Sequence, residues 1–166
     1  MKNLKHFLVI TLVFTLFACS KNDDDGGSAA KEATYSATIN GGAFTNYTST
    51  LGSYSPDFNG NGLTLAVVDQ NTNTIRIFLN KTGGYSNGVV KTIGNADTDG
   101  FITGVIIRSE ETQQIYSSTE GNITITNSFI DSDTDQNVIS GTLTITATTN
   151  TGTLVTLSGS FDNFKY

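Results

Sequence analysis

The chain has 166 residues, nine basic side chains against fifteen acidic ones and a formal net charge of −6, with one cysteine, one histidine and no tryptophan. That balance offers no basic patch for nucleic acid, whose phosphates demand one, and a single cysteine excludes a disulfide within the chain. The length suits one domain able to bury its own core.

Residues 1–18, MKNLKHFLVITLVFTLFA, open with Lys2 and Lys5 and continue as an apolar stretch from Phe7 to Phe17. That stretch is shorter than the roughly 20 apolar residues of a spanning helix. A basic start, a short apolar centre and a small final residue describe a secretory signal. Leu16-Phe17-Ala18-Cys19 resembles the lipobox of bacterial lipoproteins, and the resemblance implies that Cys19 becomes the first mature residue and carries acyl chains. Each methylene entering a bilayer contributes about 0.8 kcal/mol, so two or more chains hold a protein there without a transmembrane segment. The next residues, Ser20 to Asp25, resemble the export signal of Bacteroidetes lipoproteins, carried here by Lys21, Asp23, Asp24 and Asp25. This resemblance implies outer-membrane lipid as a partner through Cys19 and a domain facing the exterior, with a periplasm-facing anchor as the alternative.

Processing before Cys19 also removes His6, Lys2 and Lys5, leaving seven basic residues against fifteen acidic and a formal charge of −8. A mature chain without histidine or a free thiol cannot run Ser-His-Asp or Cys-His chemistry, nor hold zinc through histidine. Among carboxylates, Glu110, Glu111 and Glu120 are the carriers left for a glycosidase pair. Glu110 and Glu111 are adjacent and point to opposite faces of an extended chain, so one of them would need Glu120. The expectation is a noncatalytic protein with no cofactor.

Residues 19–32 form an acidic and then Gly-rich tether, and a single β domain is expected over 33–166. ATYSATI leads into the tight turn Asn40-Gly41-Gly42 and then AFTNYTS. LTLAVVD and TIRIFLN flank a hairpin loop at 70–73, with Ile75, Ile77 and Leu79 on one face. FITGVIIRS, nearly apolar on both faces, belongs in the middle of a sheet. NITITNSFI and VISGTLTITATT pair across the loop at 131–136, with Leu143, Ile145 and Ala147 inward and threonines outward. TLVTLSGSFDNFKY closes the chain, and a bulge near Asp162 or Asn163 would bring Phe161, Phe164 and Tyr166 to one side. Short antiparallel strands of this kind predict an all-β fold, an antiparallel β-sandwich with a closed or partly open barrel as the alternative.

YSATINGGAF, EGNITITN and the last 45 residues, with the acidic tether, resemble a family of small Bacteroidetes surface lipoproteins of unknown function. The resemblance implies an all-β domain in a cell-envelope setting and brings no catalytic residue with it.

Two groups of residues are candidates for a site. Tyr47, Tyr54, Phe58 and Tyr85 lie in or beside Gly/Ser/Asn-rich stretches, as in YTSTLGSYSPDFNGN at 47–61. Such rings offer contact area with a polar handle for a glycan, a peptide or an envelope protein, or else cap the ends of the core. In DSDTDQN, Asp131, Asp133, Asp135 and Asn137 recur at alternate positions, the first half of a calcium-loop spacing. The second half departs from it, because Gln136 and Thr142 stand where glycine and a bidentate glutamate belong. The loop reads as an acidic hairpin connection, with weak calcium binding by Asp131, Asp133 and Asp135 as the alternative. The expected role is a surface-attached binding module, with a purely structural envelope component as the competing reading.

Overall fold

The computed structural model describes residues 30–166. Cys19, Lys21 and Asp23–Asp25 therefore lie outside the described residues. Nine strands follow in chain order: β1 Thr34–Gly41, β2 Phe44–Phe58, β3 Gly62–Asp69, β4 Thr74–Asn80, β5 Val90–Thr92, β6 Gly104–Arg108, β7 Ile115–Ile130, β8 Asn137–Thr148 and β9 Leu154–Lys165. Among the described residues all nine pairings are antiparallel, and six of them join chain neighbours, as short hairpin connections allow. The sheet returns on itself through β1–β9, so eight strands form a closed barrel and the barrel alternative is the one realised. Closure satisfies the edges that an open sandwich would leave exposed. β5 lies in the β4–β6 connection and takes over from the short β6 as the neighbour of β7. The apolar run at 101–109 supplies β6, which sits between β4 and β7 as its composition predicts. Among the described residues no helix is long and apolar enough to cross a membrane.

Alternation puts Leu63, Leu65, Val67, Ile75, Ile77, Leu79, Ile107, Ile123, Ile125, Leu157 and Phe161 inside, all fully buried. An eight-stranded barrel has an interior just wide enough to be filled by side chains. Its packing depends on small residues placed opposite large ones. At Gly141 an added Cβ would stand 2.6 Å from the Phe161 ring, and at Gly159 one would stand 2.5 Å from the Ala37 side chain. The interior is thus spent on its own side chains, and any ligand has to be met at the ends or on the outer wall.

Two bulges decide where the aromatic rings point. In β9 the register slips by one residue between Phe161 and Phe164, with Asn163 at φ 56°. This is the bulge expected near Asp162 or Asn163; Phe161 and Phe164 are both fully buried as a result. In β2 the slip occurs at Gly52, between Leu51 and Ser53. Before it Tyr47 and Ser49 face inward, and after it Tyr54 and Phe58 share the inner face with Val67 and Leu63. The stretch 47–58 is therefore strand, which its Gly, Ser and Pro content had obscured. Pro56 is tolerated because β1 pairs β2 no further than Thr50, leaving the end of β2 with a sheet neighbour on one side only.

Candidate functional site

The end of the barrel where β2 and β9 finish carries most of the predicted aromatic residues. β1 does not reach this far, so β2 and β9 are joined there by rings. Tyr54 stacks on Phe164 with centroids 4.2 Å apart and planes at 20°. Its Oη accepts the Lys165 backbone N–H at 3.2 Å. Two repeats of the pleat further along β2, Phe58 lies edge-on to Tyr166 at 5.7 Å and to Tyr85 at 6.4 Å. Tyr85 and Tyr166 meet at 6.1 Å and 80°, so three rings form a mutually T-shaped triangle. These separations fall in the favourable range for edge-to-face pairs.

The triangle has a polar underside. Tyr85 Oη donates to the Leu79 carbonyl at 3.1 Å. Lys91, only 3% exposed, stands with Nζ 5.0 Å from the Tyr85 ring centre and donates to the carbonyls of Asn80 and Thr82 at 2.8 and 2.5 Å. Burial lowers the pKa of Lys91, with Asp97 opposing that shift. Burial, with the nearby Tyr166, pushes Tyr85 up to about 12, and burial alone raises Tyr166. The ring that remains accessible is Phe58, at 54% exposure, while its two partners are half-buried. Phe58 is thus an exposed ring held in one orientation by neighbours that the core itself anchors. Tyr166 and Lys91 were not identified as part of this group from the sequence. The alternation Phe164, Tyr166 after the Asn163 bulge was the available signal for the first, and nothing local marks the second.

Tyr47 is far from this group, about 35 Å along β2 at the usual strand rise. It belongs to a network at the opposite end, centred on Asp69, which is 2% exposed. Tyr47 Oη and Ser49 Oγ donate to Asp69 Oδ2 at 2.7 and 2.9 Å. The backbone N–H groups of Asn71 and Asn73 donate to Oδ1, each at 2.9 Å. Asn71 Nδ2 and Asn73 Nδ2 in turn donate to Tyr47 Oη at 2.9 and 2.8 Å. The carboxylate thereby ties the β3–β4 turn to β2. Beside it, Tyr35 Oη is the buried side-chain polar atom left without a partner among the described residues, and burial pushes its pKa up.

The acidic loops are organised around lysines. Asp131 is 1% exposed; its Oδ2 lies 2.6 Å from Lys165 Nζ and accepts from Thr134 Oγ1 at 2.5 Å. Its Oδ1 accepts the N–H groups of Ala30 at 2.9 Å and Asp133 at 3.3 Å. Lys165 first, then Thr134 and the Ala30 N–H, hold this carboxyl well below the usual range. The Asp135 N–H donates to the Asp131 carbonyl at 2.8 Å, so the loop folds about Asp131 as acceptor. In the loop at 95–101, Asp97 Oδ1 accepts the N–H groups of Asp99 and Phe101 at 2.9 and 3.0 Å, and Asp99 pairs with Lys81. Among the described residues no three His, Cys, Asp or Glu side chains come together as a group able to hold a metal ion. Glu120 lines a shallow depression with Thr144, Thr146 and Ser158 in which Glu110 and Glu111 take no part.

A family model described as PLAT/LH2 and C2-like Ca2+-binding lipoprotein matches residues 1–113, more than half of the chain. The chain belongs to this family. No curated protein and no solved structure matches it. In this Ca2+-binding lipoprotein family member, Phe58 and Tyr85 lie inside the matched span, which ends in the β6–β7 connection. Tyr166 and the loop containing Asp131, Asp133 and Asp135 lie beyond it. The family description names a lipoprotein and a binding property, not a catalytic one.

Proposed function

We propose that the protein is a noncatalytic binding module of the bacterial cell surface. It is anchored in the outer membrane through acylated Cys19 and carried outward by Lys21 and Asp23–Asp25. Its barrel presents a glycan, peptide or envelope-protein partner with the aromatic end built from Phe58, Tyr85 and Tyr166. The observation that carries this reading is the exposure of Phe58 combined with its edge-on support from two half-buried tyrosines. A ring immobilised before binding loses little side-chain entropy on contact, and so contributes more of its buried area to affinity. Tyr54 takes part indirectly, by holding β9 against β2, and Tyr47 serves the Asp69 turn.

Calcium, named in the family description, has two candidate loops in the described residues, and neither fits as arranged. At Asp131, Lys165 occupies the oxygen a cation would need, and Asp133 and Asp135 contribute backbone donors to Asp131. At Asp97 and Asp99 the same place is held by Lys81. An ammonium with carboxylate neighbours supplies the charge balance that a divalent ion would otherwise provide, so no step in the proposed function runs through calcium.

The experiment is a comparison of the mature protein with its Phe58→Ser and Thr38→Ser variants, the second a control on the outer wall. Binding is read against immobilised cell-wall polysaccharide, outer-membrane glycan and a peptide library. Loss of a ligand with Phe58→Ser alone supports the aromatic end as the binding face. Equal binding by all three proteins would overturn the aromatic end as the binding face, and no ligand on any surface favours the structural-component reading instead.

A further inference from the structure

The chain contains two arginines, and both stand on one patch of the outer wall. Arg76 on β4 lies opposite Ile106 on β6, and Arg108 on β6 lies opposite Thr74 on β4. The two arginines are therefore diagonal neighbours on the exposed face, a residue spacing of about 7–8 Å that long side chains readily bridge. Ile75, Ile77 and Ile107, which alternate with them, are fully buried, so the guanidinium stems have no route inward. With Thr74, Ile106, Gln113 and Ile115 they line an open cleft of about 440 Å³. Gln113, in the β6–β7 connection at φ 57°, reaches across so that its Oε1 accepts from Arg108 Nη2, while its Nε2 donates to the Glu110 carbonyl at 2.5 Å. Ile115, 54% exposed, and Ile106 beside it supply an apolar wall.

What distinguishes this cleft is its unbalanced charge. Among the described residues, three lysines elsewhere are committed: Lys81 to Asp99, Lys165 to Asp131, and Lys91 to two buried carbonyls. No carboxylate among the described residues lines the cleft. Glu110 approaches Arg108 no closer than 4.0 Å, with both side chains about half exposed, a geometry in which an ion pair contributes little. Arg76 has no ion pair or side-chain hydrogen bond among the described residues. Guanidinium groups suit this position because their planar fork meets an oxyanion with two parallel hydrogen bonds, which an ammonium cannot do.

We propose that the Arg76–Arg108 cleft binds the oxyanion of a small amphiphile, a carboxylate or phosphate borne on an apolar body. The two guanidiniums and Thr74 take the oxygens, and Ile106 and Ile115 cover the apolar part. The volume lies in the usual range for small-ligand sites and suits one such molecule. The site is separate from the aromatic end, so its fate does not depend on that of Phe58.

The test uses the mature acylated protein in a neutral detergent, titrated calorimetrically with 2-naphthoate and with its uncharged counterpart 2-naphthylmethanol. The neutral compound reports partition into micelles and apolar contact alone. The naphthoate is expected to bind in a saturable one-to-one manner that weakens with added salt. The paired substitution Arg76→Gln with Arg108→Gln should weaken it at least tenfold without altering 2-naphthylmethanol or the thermal midpoint. Arg108→Lys, which keeps the charge but not the fork, should fall between. Equal affinity for the two compounds, unchanged naphthoate binding in the paired variant, or no saturable naphthoate binding at all would overturn the proposal. So would arginine-dependent retention on phosphatidylglycerol vesicles without naphthoate binding, which would assign the patch to a membrane surface.

Discussion

Replacing Asp69 by alanine removes the acceptor at the centre of one end of the barrel. The carboxylate receives the hydroxyls of Tyr47 and Ser49 and the N–H groups of Asn71 and Asn73 at 2.7–2.9 Å. These losses are unequal. Asn71 and Tyr47 border solvent, so water replaces Asp69 for them at small cost. Ser49 and Asn73 are both buried; the Asn73 N–H keeps a donor with nowhere to go, while Ser49 has the unpartnered Tyr35 hydroxyl beside it as a substitute acceptor. An unsatisfied buried donor costs about 1–3 kcal/mol, so one stranded donor and one that must find a poorer partner, less some relief from no longer burying a carboxylate, give about 2–4 kcal/mol. With a urea m value of about 2 kcal/mol/M, the midpoint should fall by about 1–2 M. Asp69→Asn keeps the shape and one acceptor oxygen. Tyr47 and Ser49 can rotate to accept from its amide, so its cost should be about 1–2 kcal/mol. Equilibrium urea unfolding followed by tyrosine fluorescence measures both. A loss below about 1 kcal/mol for the alanine variant, or equal losses for alanine and asparagine, would refute the reasoning that stranded donors dominate.

Gly159→Ala should destabilise the barrel by about 2–4 kcal/mol, because the new methyl meets the Ser36 carbonyl at 2.3 Å and the β1–β9 closure has to open; thermal unfolding checks it. The depressed pKa of Asp131 gives stability that is present above the unfolded carboxyl pKa of about 4 and is lost as pH falls below it. In Lys165→Met that acid-side loss should be shallower and shifted to higher pH, as read from the thermal midpoint between neutral and strongly acid pH. Tyr85, raised to about 12, contributes in the opposite direction: its share of stability is present below about pH 10 and lost as pH rises towards 12, and the absorbance of tyrosinate during alkaline titration reports it. Calcium in excess over chelator should leave the thermal midpoint unchanged, whereas a site formed by Asp131, Asp133 and Asp135 would raise it with calcium concentration.

The N-terminal reading rests on the sequence by itself: a basic start, a short apolar run, Cys19 and the acidic residues after it form a contiguous pattern, and the proposal that they act as a processing and export signal calls on no tertiary partner. The strands were legible for a similar reason. Alternation in TIRIFLN or GTLTITATT is a local property, and burial of Ile75, Ile77, Leu143 and Ile145 follows from it. Even the β9 bulge showed, because the aromatic spacing breaks parity between Phe161 and Phe164. Contacts between distant residues did not show. Closure into a barrel depends on β9 meeting β1, the first and last strands of the domain, and no local pattern specifies that pairing. The same holds for the sites. Gly52 reversed the facing of β2 and turned an apparent loop into the strand that brings Phe58 to Tyr166. Tyr47 looked equivalent to Tyr54 and Phe58 in composition, yet lies before that bulge and serves Asp69. Arg76 and Arg108 became diagonal neighbours only through the β4–β6 register. Short-range periodicity determines which face a residue takes, but which faces meet is decided by packing, where the energy depends on every strand at once.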